Sequence, residues 1–215
     1  MERFSKEEIS QHRGWLQKWR APGRMLEYVD NLMDRLGSEN LFTQAGVGFV
    51  REAWIAGKFG AGRGVEAVRL VADQWPDFEI CQNATVQKFE ATEADLPGRR
   101  RGAQYRAAAR KAAQGASLVK HVSLGNSIEW ADQVSAILKS ACGRKLESEY
   151  AGRTGLVIYL NSISVYGIRQ REIEDCFQSA TRCAKDAFQE IWILCSDTAY
   201  LVWNDGQAAS KQLRL

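Results

Sequence analysis

The stretch from Trp75 to Asp95 limits the fold more than any other part of the chain. Two runs rich in aromatic and β-branched residues, Trp75 to Cys81 and Val86 to Asp95, flank a polar Gln-Asn-Ala-Thr segment. That pattern predicts two short strands joined by a tight connection. Strand side chains alternate between faces, so Asp77 and Glu79 point one way and Phe78 and Ile80 the other. On the second strand Lys88, Glu90 and Thr92 share one face, and Phe89, Ala91 and Glu93 the opposite one. If Phe78 and Ile80 join Phe89 and Ala91 on the apolar side, Asp77 and Glu90 meet on the other. The result is an oxygen-rich corner of the kind that suits a hard divalent cation.

Pro76-Asp77, followed thirteen residues later by Glu90 in Phe89-Glu90-Ala91-Thr92, resembles the core motif of the PD-(D/E)XK nuclease superfamily, the restriction-endonuclease-like fold. The resemblance covers roughly residues 45 to 161. It implies the order helix, three antiparallel strands, helix, further strand, with the acidic residues on the second and third strands. It also implies that Asp77, Glu90 and the Ala91 carbonyl hold Mg²⁺ or Mn²⁺. The chain departs from the family at one position: the lysine expected two residues after the glutamate is Thr92. The missing charge is then expected from Lys88, on the same strand face as Glu90, or from Lys139 on a later helix. Glu52, on the helix before the sheet, is a candidate third carboxylate. Its alternative is a surface glutamate paired with Arg51 or Lys58.

The charge distribution points to a polyanion. Between Leu96 and Ile128 there is no acidic residue, while Arg99, Arg100, Arg101, Arg106, Arg110, Lys111 and Lys120 all fall there. Seven basic residues against a net charge of +3 leave the rest of the chain at −4. Arg99, Arg100, Arg101, Arg106, Arg110 and Lys111 are the candidate phosphate contacts. The expected partner is nucleic acid, DNA first. The oligomeric state stays open, with a homodimer among the alternatives.

The expected architecture is α/β: a restriction-endonuclease-like mixed sheet flanked by helices. A helical hairpin over residues 1–44 precedes an α/β domain over 45–215 that carries a basic insertion at 96–128. Ser5-Lys-Glu-Glu8 is a capping box opening the first helix, and Pro22 opens a second that ends near Gly37. A helix over Val47 to Ala56 gives way to four glycines between Gly57 and Gly64, read as a flexible link. Strands are expected at Glu66–Val71, Leu156–Leu160, Ile191–Leu194 and Tyr200–Trp203. Helices are expected at Gln104–Gln114, Ser127–Leu146 and Ile173–Phe188.

Composition excludes several classes. No apolar run reaches membrane-spanning length. Five cysteines without Cys-x-x-Cys spacing and only two histidines argue against a disulfide framework, a zinc cluster and Ser-His chemistry. Such cysteine usage fits a reducing, cytoplasmic setting. The sequence therefore reads as a Mg²⁺-dependent nuclease. Its alternatives are a non-catalytic nucleic-acid-binding module on the same fold, and a protein-interaction module whose basic block meets an acidic partner.

Overall fold

The computed structural model describes residues 2–72, 75–95, 101–113, 127–147, 154–160 and 168–215. Helix α1 spans Lys6–Leu16, and its capping box forms as the sequence predicts: Glu8 N donates to Ser5 Oγ at 3.1 Å and Ser5 N donates to Glu8 Oε2 at 2.8 Å. Helix α2 spans Pro22–Thr43 with Pro22 in its first turn. The expected stop at Gly37 is a kink instead (φ 64°), and the helix resumes beyond it.

Helix α3 spans Phe49–Arg63 and runs straight through the glycines expected to form a link. Each interior glycine costs a helix roughly 1 kcal/mol against alanine, and close packing offsets that cost here. A Cβ at Gly57 would lie 2.9 Å from Leu26 Cδ2, and one at Gly60 3.3 Å from Pro22 Cγ. The glycines let α3 sit against α2. The break comes only at Gly64, which caps the helix in the left-handed region (φ 67°).

The described strands form one mixed sheet in the order β1 to β7. Its members are β1 Ala67–Leu70, β2 Phe78–Gln82, β3 Thr85–Ala94, β4 Gly155–Leu160, β5 Glu190–Cys195, β6 Thr198–Asn204 and β7 Gln207–Arg214. β1, β2 and β3 are antiparallel neighbours, β3, β4 and β5 are parallel, and β5, β6 and β7 are antiparallel again. Between β3 and β4 lie α4, Arg101–Ala113, and α5, Ser127–Leu146. Helix α6, Gln170–Thr181, and a short 3-10 turn, Arg182–Ala184, connect β4 to β5. β7 is an edge strand, mostly exposed, so it lacks the apolar alternation that marks a half-buried strand.

Two apolar cores lie on the two faces of the sheet. Leu16, Met25, Val29, Phe59, Phe78 and Phe89 belong to one, so the N-terminal helices share a core with α3 and the sheet. Ile137, Leu138, Leu156, Ile158, Phe177 and Ile193 belong to the other, beneath α5 and α6. No described helix is long and apolar enough to cross a membrane.

Candidate active site

β2 and β3 pair with Phe78 opposite Phe89, and both rings are buried in the α3-side core. Continuing that register by one residue brings Asp77 opposite Glu90, on the other face. Glu90 is 2 % exposed and stands beside Leu156 of β4, under α5. Asp77 is fixed by Ala91 N, which donates to its Oδ2 at 2.8 Å. The two carboxylates that strand alternation put on one face therefore do face each other.

A third group joins them. Lys145 Nζ lies 2.9 Å from Asp77 Oδ2 and also donates to Glu90 Oε2. It sits in the last turn of α5, where the helix dipole favours a cation. The sequence reading placed this charge on Lys88 or Lys139. Lys88 is one pleat away, and its ammonium lies 5.0 Å over the Trp75 ring. Lys139 is exposed one turn and a half back along α5. A sequence signal for Lys145 existed. Val134, Ile137, Leu138, Ala141 and Cys142 form the buried stripe of α5, and Lys145 falls on its next step, three residues after Cys142 and four after Ala141. A lysine at a stripe position has a buried partner or a task.

The electrostatics are unbalanced. Burial pushes the Glu90 carboxyl up to about 7, opposed by the hydrogen bond from Lys145 and reinforced by the charge of Asp77. Burial pulls Lys145 down, but Asp77 and Glu90 together hold it above its ordinary value, so it is a cation at neutral pH. Glu52 on α3 is raised by burial and then by the charge of Asp77, while Arg13 and Lys145 draw it back. It stands within electrostatic reach of the pair. Thr92 is half-buried one pleat beyond Glu90 on the same face.

With Glu90 ionised, two buried or half-buried carboxylates facing one ammonium leave a net negative charge, and Glu90 Oε1 is buried with no hydrogen-bond partner among the described residues. An orphaned buried carboxylate oxygen is costly unless something binds it. Among the described residues no three His, Cys, Asp or Glu side chains gather into a metal cage. Mg²⁺ commonly takes one or two carboxylates and fills its other positions with water and phosphate oxygens. Asp77, Glu90 and the Ala91 carbonyl fit that mode of binding.

The basic block divides. Arg101 is 8 % exposed; it donates to Glu93 Oε2 at 2.6 Å and pairs with Asp95. It is a buried ion-pair residue and not a phosphate contact, which corrects the reading from sequence. Glu93 faces away from Glu90 as expected, and also accepts from Arg51 at 2.7 Å. Arg106 and Arg110 are exposed on α4. Arg99 and Arg100, and the side chain of Lys111, lie outside the described residues. Glu79, on the same face as Asp77, is buried and paired with Arg69 at 2.7 Å.

An open cleft of about 540 Å³ lies at the arginine cluster, lined by Phe42, Arg51, Glu93, Asp95, Arg101 and Arg106 among others. Its two carboxylates, Glu93 and Asp95, are already matched by Arg51 and Arg101, so the chemistry belongs with Asp77 and Glu90. The chain matches no family model, no curated protein and no solved structure.

Proposed function

We propose that the protein is a metal-dependent nuclease of the restriction-endonuclease-like kind, hydrolysing phosphodiester bonds in nucleic acid, with DNA the first substrate to test. The observation that carries this reading is the bridge from Lys145 to both Asp77 and Glu90. It supplies, from a helix, the positive charge that the PD-(D/E)XK pattern lacks at Thr92. The order of α3, β1, β2, β3, α5 and β4 also follows the family's helix, three antiparallel strands, helix and further strand, with α4 inserted.

A divalent cation held by Asp77, Glu90 and the Ala91 carbonyl would polarise the scissile phosphate and acidify a water. The chain's own groups do the rest. Asp77 is oriented by Ala91 N, so its carboxylate need not reorganise during the reaction. Lys145 is charged at neutral pH and cannot take a proton from water. It can donate hydrogen bonds to that water and stabilise the negative charge that builds on phosphorus oxygens as one P–O bond forms and the other breaks. Glu52 adds negative charge behind the pair and helps retain the cation.

The test is a plasmid-nicking assay with Mg²⁺ or Mn²⁺, run beside a DNA-binding isotherm. Wild type should cut only with the metal, and Asp77→Asn should not cut. Binding without cutting in both metals would overturn the nuclease reading and leave a nucleic-acid-binding module.

A further inference from the structure

On the sheet face that carries Asp77 and Glu90, a second row of side chains runs across the strands one pleat away. Arg69 of β1 pairs with Glu79 of β2, and Glu79 pairs with Lys88 of β3. Beyond β1, Arg20 and Val68 form an antiparallel bridge, which brings Trp19 alongside Arg69. The Arg69 guanidinium lies 4.5 Å over the Trp19 ring, and the Lys88 ammonium 5.0 Å over Trp75. Glu79 is buried and fixes the guanidinium: Arg69 Nε donates to its Oε2 at 2.8 Å. Lys88 is exposed, and Trp19, Trp75 and Arg69 are half-exposed.

The row thus has Arg69 stacked on Trp19 at one end and Lys88 at the other, with Trp75 brought against Lys88 from the segment before Asp77 and the buried Glu79 between the two cations. It spans three strand spacings, roughly 14 Å, and lies about 7 Å along the strands from the Asp77–Glu90 row. Flat aromatic faces interleaved with cations suit a polymer that alternates planar bases with phosphates. A duplex hides its base faces in the stack. An unpaired strand offers them.

From this we infer that the Trp19–Arg69–Lys88–Trp75 row is a platform for a single strand of nucleic acid, feeding it to the Asp77–Glu90 site. Bases stack on Trp19 and Trp75, and Arg69 and Lys88 meet the flanking phosphates. The inference rests on the nucleic-acid part of the reading above and makes the substrate class an unpaired strand, a flap or an end.

The experiment measures anisotropy of a fluorescein-labelled dT 20-mer and of a labelled 20-base-pair duplex, in EDTA to prevent cutting. Proteins are wild type, Trp75→Ala, Trp19→Ala and Lys88→Ala, each with its melting temperature. Trp75→Leu serves as an apolar control without an aromatic ring. Each tryptophan variant should weaken single-strand binding roughly 5- to 100-fold, Trp75→Leu included, and duplex binding less than about twofold. Lys88→Ala should lower the single-strand salt slope by about 0.7. Equal losses on both probes would overturn the unpaired-strand assignment. Unchanged single-strand affinity in folded variants, or a wild type that binds neither probe, would remove the platform altogether. Metal-dependent nicking by wild type is scored separately. Loss of the platform with nicking intact leaves the nuclease reading standing, and the reverse outcome leaves the platform standing.

Discussion

Glu90 and Glu93 lie three residues apart on β3 and face opposite sides of the sheet, and their surroundings differ in kind. Glu93 accepts from Arg51 through one oxygen and from Arg101 through the other, and Arg101 also pairs with Asp95. Two carboxylates meet two guanidiniums, and both guanidiniums pack over the Phe42 ring. Around Glu90, two carboxylates meet one ammonium, a third carboxylate stands within electrostatic reach, and one buried oxygen has no partner among the described residues. Neutral, mutually satisfied charges fasten helices to a sheet. Charges held in deficit are arranged for something that arrives later. A cleft of about 540 Å³ lies at the balanced cluster, so concavity alone points there and charge points to Glu90.

The difference can be broken most sharply at the two cations. Lys145→Ala should cut metal-dependent nicking by roughly 10²- to 10⁴-fold while leaving DNA affinity within about threefold, as for a group that acts in the transition state. Lys88→Ala should retain turnover on saturating DNA. If Lys88→Ala is the inactive protein and Lys145→Ala cuts normally, the assignment of the bridging lysine is reversed.

Arg101→Ala should do the opposite. It takes one partner from Glu93, which keeps Arg51, and one from Asp95, each about one-fifth exposed, and should cost about 2–3 kcal/mol, less than a fully buried pair would. For a chain of this size that is roughly 5–10 °C in melting temperature. Nicking per folded molecule should not change. A protein of wild-type stability would show that the balanced cluster is not structural.

Metal should separate the clusters by a similar margin. Mg²⁺ at a hundred times its Kd adds about 2.7 kcal/mol of stability. Thermal melts should show that shift in wild type and in Asp95→Asn, and lose it in Asp77→Asn. A shift retained by Asp77→Asn would place the cation elsewhere.

The smallest expected effect concerns protons. The Glu90 carboxyl is raised from 4.5 to about 7 in the fold, so the folded state holds that proton more tightly than the unfolded chain. Its contribution to stability is fully present below pH 4.5 and is lost as pH rises through 7. Without metal, Glu90→Gln should remove that decline, and denaturant melts at pH 5 and pH 8 measure it. The Mg²⁺ shift in wild type should grow over the same interval, because the cation replaces the proton. A pH-independent Mg²⁺ shift would mean that Glu90 is not a ligand.

The sequence alone determined what depends on local periods and local chemistry. Strand alternation put Asp77 and Glu90 on one face and Glu93 on the other, because a two-residue repeat needs only the pairing of Phe78 with Phe89. The Ser5–Glu8 box and the bounds of α5 were legible for the same reason, since each is decided within a few residues. Tertiary structure decided the rest. Lys145 reaches Glu90 across 55 residues of chain, by the packing of α5 over β3, and no local pattern encodes that distance. Arg101 left the basic block for the core because Glu93 and Asp95 were there to receive it. Helix α3 kept its glycines because α2 lay close enough to need them, and contact between helices outweighed the propensity that had argued for a break.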